Sequence, residues 1–303
     1  MDKVELSKSL DKVAYVANAS KVFRFMRQPV KYVLATLYRL MIFPINKREL
    51  RVKCHTFYND EMMIGLPSST DIYLTKGKSH DSEIRLARFM INYLDSGDYF
   101  IDVGAHYGYF SGLGSLLVGK QGRVTAIEAA PRTFEILKVN LSKKTNCEFL
   151  HGAVSDESGS LTFYEFPNLY SEYNTIDNSQ FENSDWYKKY KPRAVSIESL
   201  VLGDYLKKQK RCPKIIKIDV EGAEFKVVNG AKDYLIEKSP FVVLEYLASS
   251  RNNEIHRAAA ALLVDLGYMP HAINENGTIR TLEEIESLFV DEKTDSDNIV
   301  FCK

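Results

Sequence analysis

The sequence predicts an α/β protein: a doubly wound, mostly parallel sheet with helices on both faces, preceded by an N-terminal helical and short-strand extension. Three observations carry that prediction. The apolar run Tyr99-Phe-Ile ends in Asp102, then Gly104 and Gly108 follow, the order of a buried strand, a tight turn and a helix start. Glu128 closes a second apolar strand 26 residues after Asp102. Further strands, Lys214–Asp219 and Phe241–Glu245, alternate with helical segments, as parallel crossovers require.

Composition narrows the function classes. The chain has 303 residues, long enough for one large domain or two small ones, and is 45% hydrophobic and 26% charged. Its 40 basic residues balance 40 acidic ones, so it lacks the basic surplus of a general nucleic-acid binder and none is expected as a partner. Cys54, Cys147, Cys212 and Cys302 are scattered without metal-ligand spacing, a pattern of reduced thiols in a cytoplasmic protein with no zinc site. No signal peptide is evident, because charged residues open the N-terminus.

Taken in order, residues 1–80 form the extension and 81–303 the main domain. From about Leu10 to Phe43 apolar residues recur at helical spacing, with Pro29 and Pro44 dividing them into two expected helices. Arg24, Arg27, Lys31, Arg39, Lys47 and Arg48 are interspersed among them, and no span reaches the roughly 20 apolar residues of a bilayer crossing. Residues 10–48 therefore read either as a cap on the main domain or as a peripheral contact with the inner face of a membrane. Residues 50–76 alternate like three short strands, at 51–57, 62–66 and 71–74. A helix follows over 82–94, then strands at 99–103, 123–128, 147–154, 214–219 and 241–245, with helices near 131–143, 222–237 and 253–266. Segments 268–273 and 298–302 suit a terminal strand pair. Residues 165–193 lack periodicity, and with Tyr164 they carry an aromatic-rich set, Phe166, Tyr170, Tyr173, Trp186, Tyr187 and Tyr190, suited either to stacking on a sugar or to packing.

The chemistry gathers at the strand ends. Glycines at 104 and 108 let the backbone bend and approach a ligand closely. Glu128 stands where an acid accepts both hydrogen bonds of a ribose diol. No Gly-Lys-Ser/Thr follows the glycines, so the turn is not a P-loop, and NAD and S-adenosylmethionine both remain open. At the end of the fourth strand, Lys217, Asp219 and Glu221 alternate and would point one way along an extended chain. Burying them unpartnered would be costly, so they are expected to converge on one another or on substrate. Glu224 reads as a helix-start carboxylate facing the positive end of its dipole.

These strings resemble the FkbM-type methyltransferases, a class I, Rossmann-like family that uses S-adenosylmethionine. The likeness runs from about Asp81 to Phe301 through Asp102-Val-Gly-Ala-His-Tyr-Gly-Tyr-Phe-Ser111, Ile127-Glu-Ala-Ala-Pro131 with Asn140, Ala153-Val-Ser-Asp156, Lys217-Ile-Asp-Val-Glu-Gly-Ala-Glu224 and Pro240-Phe-Val-Val-Leu-Glu245. Two positions depart from it: the family usually has Asn at His106 and Pro at Ala129. The resemblance implies O-methylation of a hydroxyl on a sugar, glycan or secondary metabolite. It implies cofactor contacts at Asp102, Gly104, Ala105, His106, Gly108, Glu128, Ala129 and Ala153. Asp219 and Glu221 are the candidate general bases, Lys217 tunes or orients, and His80 and His106 are secondary candidates. Asp219 and Glu221 also suit Mg²⁺, but no further ligand set is evident and no metal is expected. The competing readings are an NAD-dependent oxidoreductase on the same sheet and a non-catalytic binding domain.

Overall fold

A computed structural model describes residues 1–178, 181–182, 184–251, 253–290 and 294–303. The chain opens with α1 (Lys3–Ala17), α2 (Lys21–Arg27), α3 (Pro29–Leu37), a π-helical turn over Tyr38–Ile42 and α4 (Phe43–Asn46). This is more helices than the two expected. Pro29 and Pro44 each stand in the first turn of a helix, where a missing N–H removes no bond, so the prolines start helices as well as ending them. Leu6, Leu10 and Val13 of α1 enter the same buried cluster as Phe89, Phe100 and Val300.

Next, β1 (Leu50–His55) and β2 (Glu61–Leu66) pair antiparallel. Residues 71–74, expected as a third strand, instead form α5 (Thr70–Thr75). The Asp71 carboxylate takes the amides of Ile72 and Ser79, and the Tyr73 and Lys76 amides reach back four residues to carbonyls, so local bonding overrides the alternating pattern. The main body then runs α6 (Asp81–Tyr93), β3 (Tyr99–Val103), α7 (Tyr109–Val118), β4 (Arg123–Glu128), α8 (Pro131–Leu141), β5 (Cys147–His151), β6 (Ala153–Ser155) and β7 (Gly159–Glu165). It continues with α9 (Asp185–Lys189), β8 (Arg193–Val201), α10 (Leu202–Lys207), β9 (Ile215–Ile218), α11 (Glu224–Lys238) and β10 (Phe241–Leu247). It closes with α12 (Glu254–Asp265), β11 (Met269–Ile273), β12 (Ile279–Thr281) and β13 (Ser296–Cys302).

Eight strands form the central sheet in the order β12-β11-β13-β10-β9-β3-β4-β5. The run from β10 to β5 is parallel, and β13, β11 and β12 add antiparallel on one edge. One apolar cluster covers the face packed by α1, α6 and α7, and a second joins the other face to α10, α11 and α12. The α/β, doubly wound expectation therefore holds, and the terminal pair is present as β11 and β13 with β12 added.

The chain leaves β3 toward β4 on one side and later returns as β9 on the other. That reversal puts the topological switch between β3 and β9, where open sheets of this kind leave a crevice. The expected strand 147–154 divides in two. At Gly152 the chain leaves the large sheet, and β6 joins β8 and β7 in a separate three-stranded sheet. A Cβ at Gly152 would stand 3.0 Å from the Glu198 carbonyl, a close approach that the glycine permits. Among the described residues, no helix is long and apolar enough to cross a membrane.

The aperiodic segment 165–193 contains a 3₁₀ stretch, Asn168–Tyr173, besides α9; residues 179, 180 and 183 of it lie outside the described residues. Its aromatic side chains pack on one another: Tyr170 stacks on Trp186 at 4.3 Å and Trp186 faces Tyr173 at 5.5 Å. Of these rings, Tyr173 lines the cavity described next.

Candidate active site

The turn between β3 and α7 begins at Gly104, whose φ of 78° is left-handed. A Cβ there would overlap the carbonyl oxygen of Asp219, so this position admits glycine alone. The amides of Gly104 and Ala105 both donate to the Ile127 carbonyl, and the Asp219 amide donates to Val103, which locks the ends of β3, β4 and β9 together. His106 also adopts a left-handed φ of 49°, a conformation that costs a non-glycine residue energy and is concentrated at functional sites.

Glu128 ends β4 and is nearly buried. One of its oxygens accepts the His106 amide and the other the Ala130 amide, both at 2.8 Å. A carboxylate offers about four acceptor sites, so two remain, the number a ribose diol would use. Burial, opposed by those two amides, raises the Glu128 carboxyl to about 7.

A cavity of about 510 Å³ opens at this switch point. Gly104, His106, Glu128, Ala129, Ala153, Asp219, Glu221 and His80 line it. The cavity wall is thus common to most of the residues singled out in the sequence. Asp102, Ala105, Gly108 and Lys217 stand behind that wall. Asp102 is buried and accepts the Ser111 hydroxyl at 2.6 Å; Ala105 turns into the core beside Ala126 and Leu137; Gly108 caps α7. The position of His106 serves through its amide to Glu128, while its ring meets the Ser171 hydroxyl at 3.1 Å. Burial, aided by Lys78, holds that imidazole down at about 3, so it is neutral. Asn140 is a staple: its side chain binds both backbone groups of Met63 and the Tyr107 carbonyl, fastening β2 to the turn.

The acidic group converges by a different route from the one the sequence suggests. β9 ends at Ile218, so Lys217, Asp219 and Glu221 do not alternate along one extended strand. Instead the chain turns, Glu221 takes a left-handed φ of 53°, and carboxylate oxygens of Asp219, Glu221 and Glu245 all lie within 4.8 Å of one another. Glu224 is fully buried and accepts the amides of Val220 and Gly222, which holds this turn in shape at the start of α11.

Lys217 organises the charges. Its ammonium lies 2.8 Å from Asp219 and 3.7 Å from Asp102, while its side chain is 4% exposed. Burial opposes ionisation of Asp219, yet Lys217 and then Lys78 bring its carboxyl down to about 2. Glu221 and Glu245 go the other way: burial, together with repulsion from neighbouring carboxylates, raises both well above the usual range. Neighbouring carboxyl groups are therefore pushed apart in acidity, the arrangement that separates acid and base roles.

Other cavity residues escape the sequence reading. Glu245 sits in a quoted string, at a parallel strand's C-terminal end, but its approach to Asp219 depends on β10 pairing beside β9. Lys78, Glu172, Arg251 and Asp295 come from segments far apart in the chain and carry no motif. Glu172 is raised to about 7, chiefly by burial.

The methyltransferase FkbM domain model matches residues 102–270, more than half of the chain. The chain belongs to that family. Methyl transfer, rather than hydride transfer or bare binding, is thus the class of activity of this FkbM-family protein. Among curated proteins it is similar to methyltransferase sdnD of Sordaria araneosa, 27% identical over 198 residues that cover 58% of this chain and 75% of the relative. Among solved structures it is similar to methyltransferase FkbM from Methylobacillus flagellatus KT, 15% identical with a TM-score of 0.42. That match covers 70% of this chain but only 44% of the Methylobacillus protein, so the chain spans less than half of that relative. It is also similar to Aeropyrum pernix fibrillarin, solved with natively bound S-adenosyl-L-methionine, at 13% identity, a TM-score of 0.40 and coverage of 72% and 74%.

In this FkbM-family chain, removing the ammonium of Lys217 leaves the buried Asp102 without its cation and leaves Asp219 with the more distant Lys78 alone. Lys217→Met is expected to lose about 3–5 kcal/mol of stability in urea unfolding at neutral pH. A loss below about 1 kcal/mol, the size of an exposed pair, would mean that Lys217 does not organise the site.

Proposed function

We propose that the protein transfers a methyl group from S-adenosylmethionine to a hydroxyl of a sugar, glycan or other polyhydroxylated metabolite, with proton removal at the acidic turn after β9. The observation that carries this reading is the convergence of Asp219, Glu221 and Glu245 in a cavity that Glu128 and the Gly104 turn also line. The donor fits those residues: Glu128 keeps two acceptor sites for its ribose diol, and Ile127, Ala153, Val154, Phe163 and Ile176 supply apolar wall beside it. When bound, it supplies an electrophilic methyl group on a sulfonium whose departing thioether is neutral.

The chain's own residues supply position, field and a proton acceptor. Among the described residues, eight carboxyl groups line the cavity, including Asp71, Glu83, Glu172 and Asp295, against two cations, Lys78 and Arg251. That negative excess favours a cationic ligand and offers acceptors to the hydroxyls of a polyol. An acceptor hydroxyl placed against the turn loses its proton to a carboxylate as the oxygen–carbon bond forms. Asp219, held ionised by Lys217, accepts a hydrogen bond but is weakly basic. Glu221 has the higher proton affinity and is the better base once ionised. Four free cysteines suit the reducing cytoplasm.

Purified protein incubated with labelled S-adenosylmethionine and a panel of hydroxylated glycans and metabolites tests the reading. A product methylated at oxygen is expected. Glu221→Gln should lower kcat by roughly 10²–10⁴ while calorimetric cofactor affinity stays within a few fold. Asp219→Asn should also reduce turnover sharply. Full activity in both variants would remove the base from this turn.

The cofactor's pH dependence follows from Glu128. Ribose hydroxyls donate to the ionised carboxylate, whose acidity in the free protein is raised to about 7. The Glu128 contribution to affinity is therefore expected to rise with pH, by up to about tenfold per unit, until about 7 and then level off. Glu128→Gln should weaken binding and flatten that part of the profile. An unchanged profile in Glu128→Gln, measured by calorimetry, would separate Glu128 from the diol.

A further inference from the structure

We infer that residues 21–48 form a docking surface for an anionic lipid bilayer, with α2, α3 and the following turns lying in the plane of the membrane interface. Twelve of the 22 exposed large apolar side chains among the described residues fall between Val22 and Ile45. Met26, Val30, Leu40 and Ile45 are each at least two-thirds exposed. No residue of α2 is buried, and in α3 only Ala35 is. Such a concentration of exposed apolar side chains is out of place facing water and marks an interaction site.

Charge identifies the occupant. Between residues 12 and 48 the chain carries eight Lys and Arg and no Asp or Glu, although the whole chain is neutral. Lys21, Arg27, Arg39, Lys47 and Arg48 are exposed around the apolar side chains. Apolar groups that enter the acyl boundary, flanked by cations at headgroup level, match an anionic leaflet on both counts. A second copy of this chain fits poorly, because a two-fold interface would set the cationic patch against itself. No helix here is long enough to cross the bilayer, so the contact is interfacial.

The surface is anchored to the body. The Gln28 side chain donates to the Leu74 carbonyl at 3.1 Å, and the Lys31 ammonium lies over the Tyr73 ring at 4.8 Å. Both partners belong to α5, whose Asp71 lines the cavity. On the other flank Phe43 stacks on Tyr190, 6.1 Å between centroids. The docking helices are thus braced rather than free. This inference stands apart from the choice of methyl acceptor.

Co-sedimentation of the full chain with vesicles tests it. The protein is expected to pellet with vesicles of phosphatidylcholine mixed with phosphatidylglycerol, to stay in the supernatant with phosphatidylcholine alone, and to be released by raised salt. Leu40→Glu combined with Ile45→Glu should abolish pelleting. Arg27→Gln and Arg39→Gln should each weaken the partition coefficient by roughly fivefold. All four sites are exposed, so the variants should keep the parent circular dichroism spectrum. Wild-type protein that stays in the supernatant with the anionic vesicles, or variants that pellet as well as wild type, would overturn the inference. So would a dimer in vesicle-free sedimentation velocity that Leu40→Glu dissolves, because the face would then belong to a second copy.

Discussion

Between the turn after β3 and the turn after β9 there is no room for a methyl group, since a side chain on Gly104 would occupy the space of the Asp219 carbonyl oxygen. This close approach at the switch point sets the geometry of everything around it. It keeps the Asp219 amide on the Val103 carbonyl and the Gly104 amide on Ile127, so three strand ends are fixed relative to one another. From that frame the His106 amide reaches Glu128 and the Lys217 ammonium reaches both Asp102 and Asp219. Packed interiors transmit small displacements, so a shift of one turn would be felt at Glu128 and at the acidic turn after β9 together.

The electrostatics of the cavity depend on the same frame. One buried ammonium serves two carboxylates, Asp102 on β3 and Asp219 just after β9, which keeps Asp219 ionised in surroundings that otherwise favour neutral acids. Glu221 and Glu245, pushed up by burial and by neighbouring carboxylates, retain their protons to higher pH. An arriving cation lowers both, because it favours their charged forms. The charge of a bound cation and the ionisation of Glu221 and Glu245 are thereby linked through Coulomb forces across a few ångströms.

Much of this frame is written locally in the chain. The apolar run Tyr99–Val103 is buried throughout, and the glycines at 104 and 108 have the positive φ that the tight turn requires. The strand-end position of Glu128 follows from the same period of apolar residues. What escapes is non-local. The alternation of Lys217, Asp219 and Glu221 suggested one extended strand, but β9 stops at Ile218 and a left-handed residue brings the acids together instead. The pattern at 71–74 reads as a strand because nothing in the periodicity signals that Asp71 will bind its neighbours' amides. The break at Gly152 becomes meaningful only once β8 is present beside it. Lys78, Glu172 and Arg251 reach the cavity only after folding joins their separate segments. The exposed faces of α2 and α3 show the opposite limit: their apolar character is legible in the sequence, but only the fold shows that few of the described residues cover them.

We propose that contact between the two turns preorganises the site for S-adenosylmethionine. Titration calorimetry of Gly104→Ala with S-adenosylmethionine, on protein whose circular dichroism confirms a folded chain, measures this most directly. The added methyl must push the Asp219 turn away, so affinity is expected to fall by at least roughly 30-fold, about 2 kcal/mol. Affinity equal to that of the parent protein would contradict the claim.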